Sequence, residues 1–110
     1  NKHINFIGNI QGRDVLTGKA DVMVCEGFTG NIILKMAESL YEIGQERKIN
    51  DKFLDRFNFE NYGGTPVLGV SKPVIIGHGI SGAKAFMNMI RLARVMLEKN
   101  VMQKMKEELS

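Results

Sequence analysis

The sequence predicts an α/β fold. Two near-continuous apolar runs, Ala20–Cys25 and Lys72–Gly77, each lead into a glycine-rich segment and then into residues of helical periodicity. After the first run, Ile33, Met36, Leu40 and Ile43 recur at helical spacing; after the second, Phe86, Ile90, Ala93, Leu97 and Val101 do so. Strand, glycine loop and helix repeated in this order is the rhythm of an α/β sheet, and the second unit ends in a long C-terminal helix.

The elements follow in order. His3 to Ile10 mixes β-branched and aromatic residues and predicts a short strand closing at Gly8-Asn9. Gly12 to Leu16 predicts one helical turn, punctuated by Thr17-Gly18. Ala20–Cys25 has the pattern of a parallel strand buried on both faces. Gly27-Phe28-Thr29-Gly30-Asn31 breaks it, and a helix starts near Asn31 and runs past Glu42. Residues 44–61 form a polar connector, in which Asp51–Phe57 predicts a short amphipathic helix, with room for a short helical hairpin. Gly63–Pro66 is a turn cluster, Pro66–Val70 a short strand, and Lys72–Gly77 the second buried strand. His78–Gly82 is a loop, and the terminal helix after it breaks near Asn100. That helix carries a second apolar stripe, Met89, Leu92 and Met96, beside the first, so a second layer or a partner subunit is expected against it.

Composition excludes several classes. With 44% hydrophobic and 25% charged residues in 110, this is ordinary globular usage for one small domain. No stretch reaches the roughly 18 apolar residues of a membrane span. The single cysteine, Cys25, supports neither an internal disulfide nor a structural zinc cage, so no metal is expected and a reducing, cytoplasmic setting fits. A net charge of +3 and the lack of aromatic-interleaved basic patches give no reason to expect nucleic acid. The opening Asn1-Lys2-His3-Ile4 has neither an initiator Met nor a leader, and the chain reads as part of something larger.

Candidate chemistry sits where strands end in glycine loops that open helices. Gly27 and Gly30 allow close backbone approach, and the first amides of the next helix suit an anion such as phosphate. Asn31 is either a donor there or a plain helix cap. Lys35, one turn further on the same face, offers a cation, although an exposed lysine is the commoner outcome. His78 ends the second strand as a candidate donor or general acid, against the commoner structural histidine. Cys25 has no basic activator nearby in sequence and reads as a strand residue; Asp21 and Glu26 are acceptors or loop anchors.

Four segments together resemble one family. Phe6-Ile7-Gly8-Asn9-Ile10-Gln11-Gly12-Arg13-Asp14 is similar to the pattern F-x-G-N-x-E-G-R-D, and Ala20 through Asn31 to A-D-V-x-V-x-D-G-F-x-G-N. Tyr62 through Gly69 resembles Y-G-G-A-P-L-L-G, and His78 through Ala85 resembles H-G-S-S-D-A-K-A. These are motifs of the bacterial phosphate acyltransferase family PlsX of phospholipid synthesis, in the right order and over most of the chain. The resemblance implies transfer of a fatty acyl group from acyl-carrier protein to inorganic phosphate, without a cofactor. It implies a three-layer α/β/α fold related to phosphate acetyltransferases and isocitrate dehydrogenase-like enzymes, a homodimer, and peripheral attachment to the inner face of the membrane. Only the C-terminal part of the family is matched, so residues 1–110 are expected to be part of one larger acyltransferase domain and to lack half of its site.

The departures are Gln11, Glu26, Ile80 and Gly82, where the family has Glu, Asp, Ser and Asp. The connector between Lys35 and Tyr62 is also shorter than in the family, where it holds a helical hairpin implicated in membrane contact. The family reaction needs a bound phosphate, donors for the thioester oxygen and a leaving thiol, and no covalent nucleophile. Asn31, Lys35 and His78 are the expected catalytic residues, with Gly27, Gly30, Asn31 and Ser81 for phosphate. Two alternatives remain: an acetyl- or butyryltransferase using acyl-CoA, and a non-catalytic dimerisation and membrane-docking module.

Overall fold

A computed structural model describes residues 4–110. The chain is mixed α/β and ends, as expected, in a long helix broken at Asn100. Its elements are a 3₁₀ turn at Gly12–Asp14, α1 (Gly27–Glu46), α2 (Lys52–Asp55), a 3₁₀ turn at Phe59–Asn61, β1 (Gly64–Pro66), β2 (Ile75–Gly77), α3 (Ala83–Glu98) and α4 (Val101–Leu109). Asn100 takes the left-handed conformation at φ 50°, which asparagine tolerates, and this turns the chain between α3 and α4.

The sheet differs from the expectation. β1 and β2 pair antiparallel, with Gly64 opposite Gly77, Thr65 opposite Ile76 and Pro66 opposite Ile75. The strand expected at Pro66–Val70 therefore comes earlier, inside the supposed turn cluster, and residues 69–72 make the bend instead. The strands expected at His3–Ile10 and Ala20–Cys25 do not form: His3 lies outside the described residues, and residues 4–10 and 20–25 join no sheet. The reason is the lack of neighbours. An apolar run becomes a buried strand only between other strands, and here Val24 is 93% exposed.

α1 begins four residues before its expected start. Its N-cap is Glu26, whose carboxylate accepts the Phe28 and Thr29 amides at 2.7 Å each. The segment expected to be a glycine loop, Gly27–Asn31, is thus the first turn of the helix. At the other end the Ile49 amide donates to the Gly44 carbonyl at 2.8 Å and the Lys48 amide to that of Gln45 at 3.0 Å. This is a Schellman closure, with Lys48 in the left-handed position at φ 55°. The connector then folds back as α2, capped by Asp51, and Leu54 lies against Gly44 of α1.

The centre of the packing is α3 against the hairpin and the second 3₁₀ turn. Asn88 Nδ2 donates to the Glu60 carbonyl at 2.8 Å and Lys84 Nζ to Asn61 Oδ1 at 3.0 Å. Among the described residues, Ala85 and Met96 are the buried hydrophobic side chains. The two stripes of α3 exchange the roles expected for them. Met89, Leu92 and Met96 face inward, whereas Ile90 is 70% exposed, with Phe86 and Leu97 beside it. The inner stripe wins because the hairpin comes within backbone contact of the helix: a Cβ at Gly63 would lie 2.6 Å from the Ala85 carbonyl oxygen and the Met89 amide nitrogen. A Cβ at Gly77 would lie 2.9 Å from Met89 Sδ.

Two outcomes follow from these contacts. Gly63 combines φ +82° with that backbone contact, so Gly63→Ala is expected to destabilise the chain by about 2 kcal/mol or more, read as a lowered thermal midpoint. Hydrogen bonds from Thr29, then from the Phe28 amide, hold the Glu26 carboxyl below its ordinary 4.5. A lowered folded-state value stabilises above 4.5, and the contribution is lost as pH falls through the lower value. Helicity measured by circular dichroism should therefore fall in acid below pH 4.5, and Glu26→Gln should flatten that part of the curve.

Candidate functional site

Asn31, Lys35 and Glu38 fall at i, i+4 and i+7 on α1 and share one helix face. Opposite them the 3₁₀ turn and the hairpin bring Phe59, Tyr62, Thr65 and Ile76, and β2 delivers His78 at its end. Between these elements lies a cavity of about 500 Å³. Asn31 and Lys35 line it together with His78, which is more than forty residues further along the chain.

The geometry at His78 is the most constrained part. Its backbone N–H donates to Ser81 Oγ at 3.0 Å, and the Ser81 amide returns a bond to the His78 carbonyl at 3.0 Å. Phe59 covers one face of the imidazole, with ring centroids 4.7 Å apart. Glu38 joins both cationic candidates, with Oε2 2.8 Å from Lys35 Nζ and Oε1 3.6 Å from His78 Nε2. Behind this, Asn58 Nδ2 donates to the Tyr41 hydroxyl oxygen at 3.1 Å and ties the connector to α1.

The cavity lining is mixed. Leu34, Phe57, Phe59, Tyr62, Pro66 and Ile76 are apolar or aromatic, and among them Lys35, Arg56, His78 and Asn31 bring donors and positive charge. Such a site suits an amphiphile with an anionic head and a hydrocarbon arm. Gly27, one turn before Asn31, and Gly30, immediately before it, are not among the lining residues; Ser81 acts on the cavity through the backbone of His78. The amides of Phe28 and Thr29 are taken by Glu26, so an anion reaching that helix end competes with a carboxylate of the chain itself.

Two cavity residues were not found from the sequence. Glu38 is legible in retrospect, since it lies three residues after Lys35 on the same helix face. Arg56 lies in the connector, where no motif or periodicity marks it. A larger cavity, about 640 Å³, lies in the elbow of α3 and α4 beside Met96, Met102 and Met105, away from all of these groups. Cys25 is exposed, with its sulfur 3.3 Å from where a Cβ on Gly30 would stand. Among the described residues no three of His, Cys, Asp and Glu converge as metal ligands do, and no helix is long and apolar enough to cross a membrane.

Comparison with known proteins gives this arrangement a context. The phosphate acyltransferase of Thermoanaerobacterium thermosaccharolyticum is 38% identical over 128 aligned positions, covering 99% of this chain and 38% of the relative. That of Caldanaerobacter subterraneus is 39% identical, covering 99% and 39%, and that of Desulforamulus reducens 40%, covering 96% and 37%. The chain thus spans under two-fifths of the length of these relatives, and the first alignment is longer than the 110 residues of the chain, so the relative carries residues that the chain lacks. No solved structure matches. The family described as fatty acid synthesis protein matches residues 1–104, nearly the whole chain and every residue that lines the cavity, and the chain belongs to that family.

Proposed function

We propose that these residues are the C-terminal part of a phosphate acyltransferase that transfers a fatty acyl group from acyl-carrier protein to inorganic phosphate, giving acyl-phosphate. The observation that carries the reading is the mixed lining of the cavity, in which Lys35, Arg56 and His78 stand among aromatic and aliphatic side chains. The reaction brings together an anion and a hydrocarbon chain, and this lining serves both. The relatives bear the matching name.

In this mechanism Lys35 and Arg56 hold the phosphate, and Gly27 and Gly30, which lie outside the cavity, take no part. A phosphate oxygen attacks the thioester carbonyl carbon and the new C–O bond forms as charge develops on the carbonyl oxygen. Asn31 donates to that oxygen, where a positioned donor acts most strongly. The C–S bond then breaks, the electron pair leaves with sulfur, and His78 supplies the proton to the thiolate. Ser81 holds the loop that carries His78. Neither a covalent nucleophile nor a cofactor enters. Acyl-CoA is the rival donor, as in an acetyl- or butyryltransferase, and a preference for acyl-carrier protein over acyl-CoA separates the two.

The exposed surface supports a place in a larger assembly. The chain exposes 9121 Å², whereas a compact monomer of 12.3 kDa exposes roughly 6,100 Å². Its radius of gyration of 15.9 Å likewise exceeds the roughly 13 Å expected for this length. We read part of this surface as a homodimer contact on the outward face of α3, and the protein as cytoplasmic with peripheral membrane contact. Flotation with liposomes tests the membrane contact, and an acyl-transfer assay on the same protein separates it from a purely docking role, because a docking module binds lipid without turning substrate over.

Two measurements check these readings. Asn31→Ala in the complete enzyme should lower acyl-phosphate formation by about a hundredfold while the protein stays folded; near-normal turnover reduces Asn31 to a helix residue. Sedimentation of the complete protein should give a dimer that Ile90→Asp with Leu97→Asp splits, since burying unpaired carboxylates is costly. A monomer before substitution, or an unaffected dimer after it, removes α3 from the interface.

A further inference from the structure

We propose that Glu38 is a positioning residue for His78, with Lys35 anchoring its carboxylate from the other side. The inference rests on the acyl-transfer reading above and adds to it a group that does not touch the reacting atoms. The two oxygens of Glu38 serve partners on different elements: Oε2 meets Lys35 one turn earlier on α1 at 2.8 Å, and Oε1 faces His78 Nε2, past the end of β2, at 3.6 Å. The carboxylate side chain is only 24% exposed, against 54% for Lys35, so its field on the imidazole is screened less than that of a surface pair.

The other contacts of His78 leave a task undone. The bonds with Ser81 fix the backbone, and Phe59 covers one ring face. Neither selects which ring nitrogen carries the proton in the neutral imidazole. A carboxylate oxygen facing Nε2 keeps a proton on that nitrogen, in the neutral ring and in the imidazolium alike, and keeps the ring rotation that places it there, so that Nδ1 is the nitrogen that hands its proton to the leaving sulfur. At 3.6 Å the pair is an ion-pair contact and longer than a hydrogen bond. Contacts of this kind tighten when substrate fills the site. Lys35 keeps the carboxylate from swinging away, since the i, i+3 pair is made within one helix.

The test is a double-mutant cycle in the complete enzyme, with Glu38→Gln, His78→Ala and the pair, reading kcat and the KM for phosphate separately. Glu38→Gln keeps the shape and removes the charge. It is expected to lower kcat about tenfold, and the double variant to be no slower than His78→Ala alone, as for residues that act as one unit. A purely structural role predicts multiplying losses instead, and that result overturns the inference while leaving the acyl-transfer reading in place. If His78→Ala retains full turnover, His78 loses its role in the reaction and both readings of it fall. As a readout independent of activity, the ¹⁵N shifts of the His78 imidazole should change between wild type and Glu38→Gln; identical shifts overturn the proposal.

Discussion

The close approach of the Gly63 backbone to α3 is the constraint on which the rest depends. A side chain there would enter the backbone of Ala85 and Met89, so only glycine lets the hairpin lie directly on the helix. Gly64 is equally confined from the sheet side, where a Cβ would stand 2.5 Å from the Ile76 carbonyl oxygen. With both positions satisfied, β2 has one height above α3, and Met89 fills the space that the hydrogen of Gly77 leaves. The end of β2 then presents His78 toward α1. A shift of the hairpin by a single methyl group would move the imidazole relative to Glu38, so a packing constraint inside the fold becomes a positional constraint in the cavity.

Much of this was legible where the cause is local. Helical periodicity marks α1 and α3, Asp51 announces α2, and Asn100 announces the break before α4. Asn31, Lys35 and His78 stood out because glycines and strand ends surround them, and the structure brings all of them to one cavity. The strands at 4–10 and 20–25 misled for the opposite reason. An apolar run states only that burial is wanted; whether it becomes a strand depends on neighbours supplied from elsewhere. The early start of α1 was hidden by its glycines, which weaken a helix in isolation, whereas the carboxylate of Glu26 holds the first turn by taking its free amides.

The exchange of stripes on α3 follows the same logic. Phe86, Ile90 and Leu97 are larger than the inner set taken one for one with Met89, Leu92 and Met96 only at the aromatic position, so bulk does not decide which faces inward. Contact distance decides. A helix that must meet a glycine backbone at van der Waals range does so with Ala85 and flexible methionine, which fill an irregular gap where a rigid aromatic ring would hold the hairpin away.

The two surfaces of the chain then have different physical status. In the cavity Glu38 stands between Lys35 and His78, and behind it Asn58 is bonded to Tyr41. Among the described residues no buried side-chain polar atom lacks a hydrogen-bond partner. The outward apolar face of α3, by contrast, is exposed at Phe86, Ile90 and Leu97, in a chain whose exposed area is some half above that of a compact monomer. The Glu38 pairs hold Lys35 and His78 relative to each other without further protein, whereas an apolar face in water gains free energy from any protein that covers it. The position of His78 is therefore set within these residues, and what a covering surface adds is stability and the exclusion of water from the cavity.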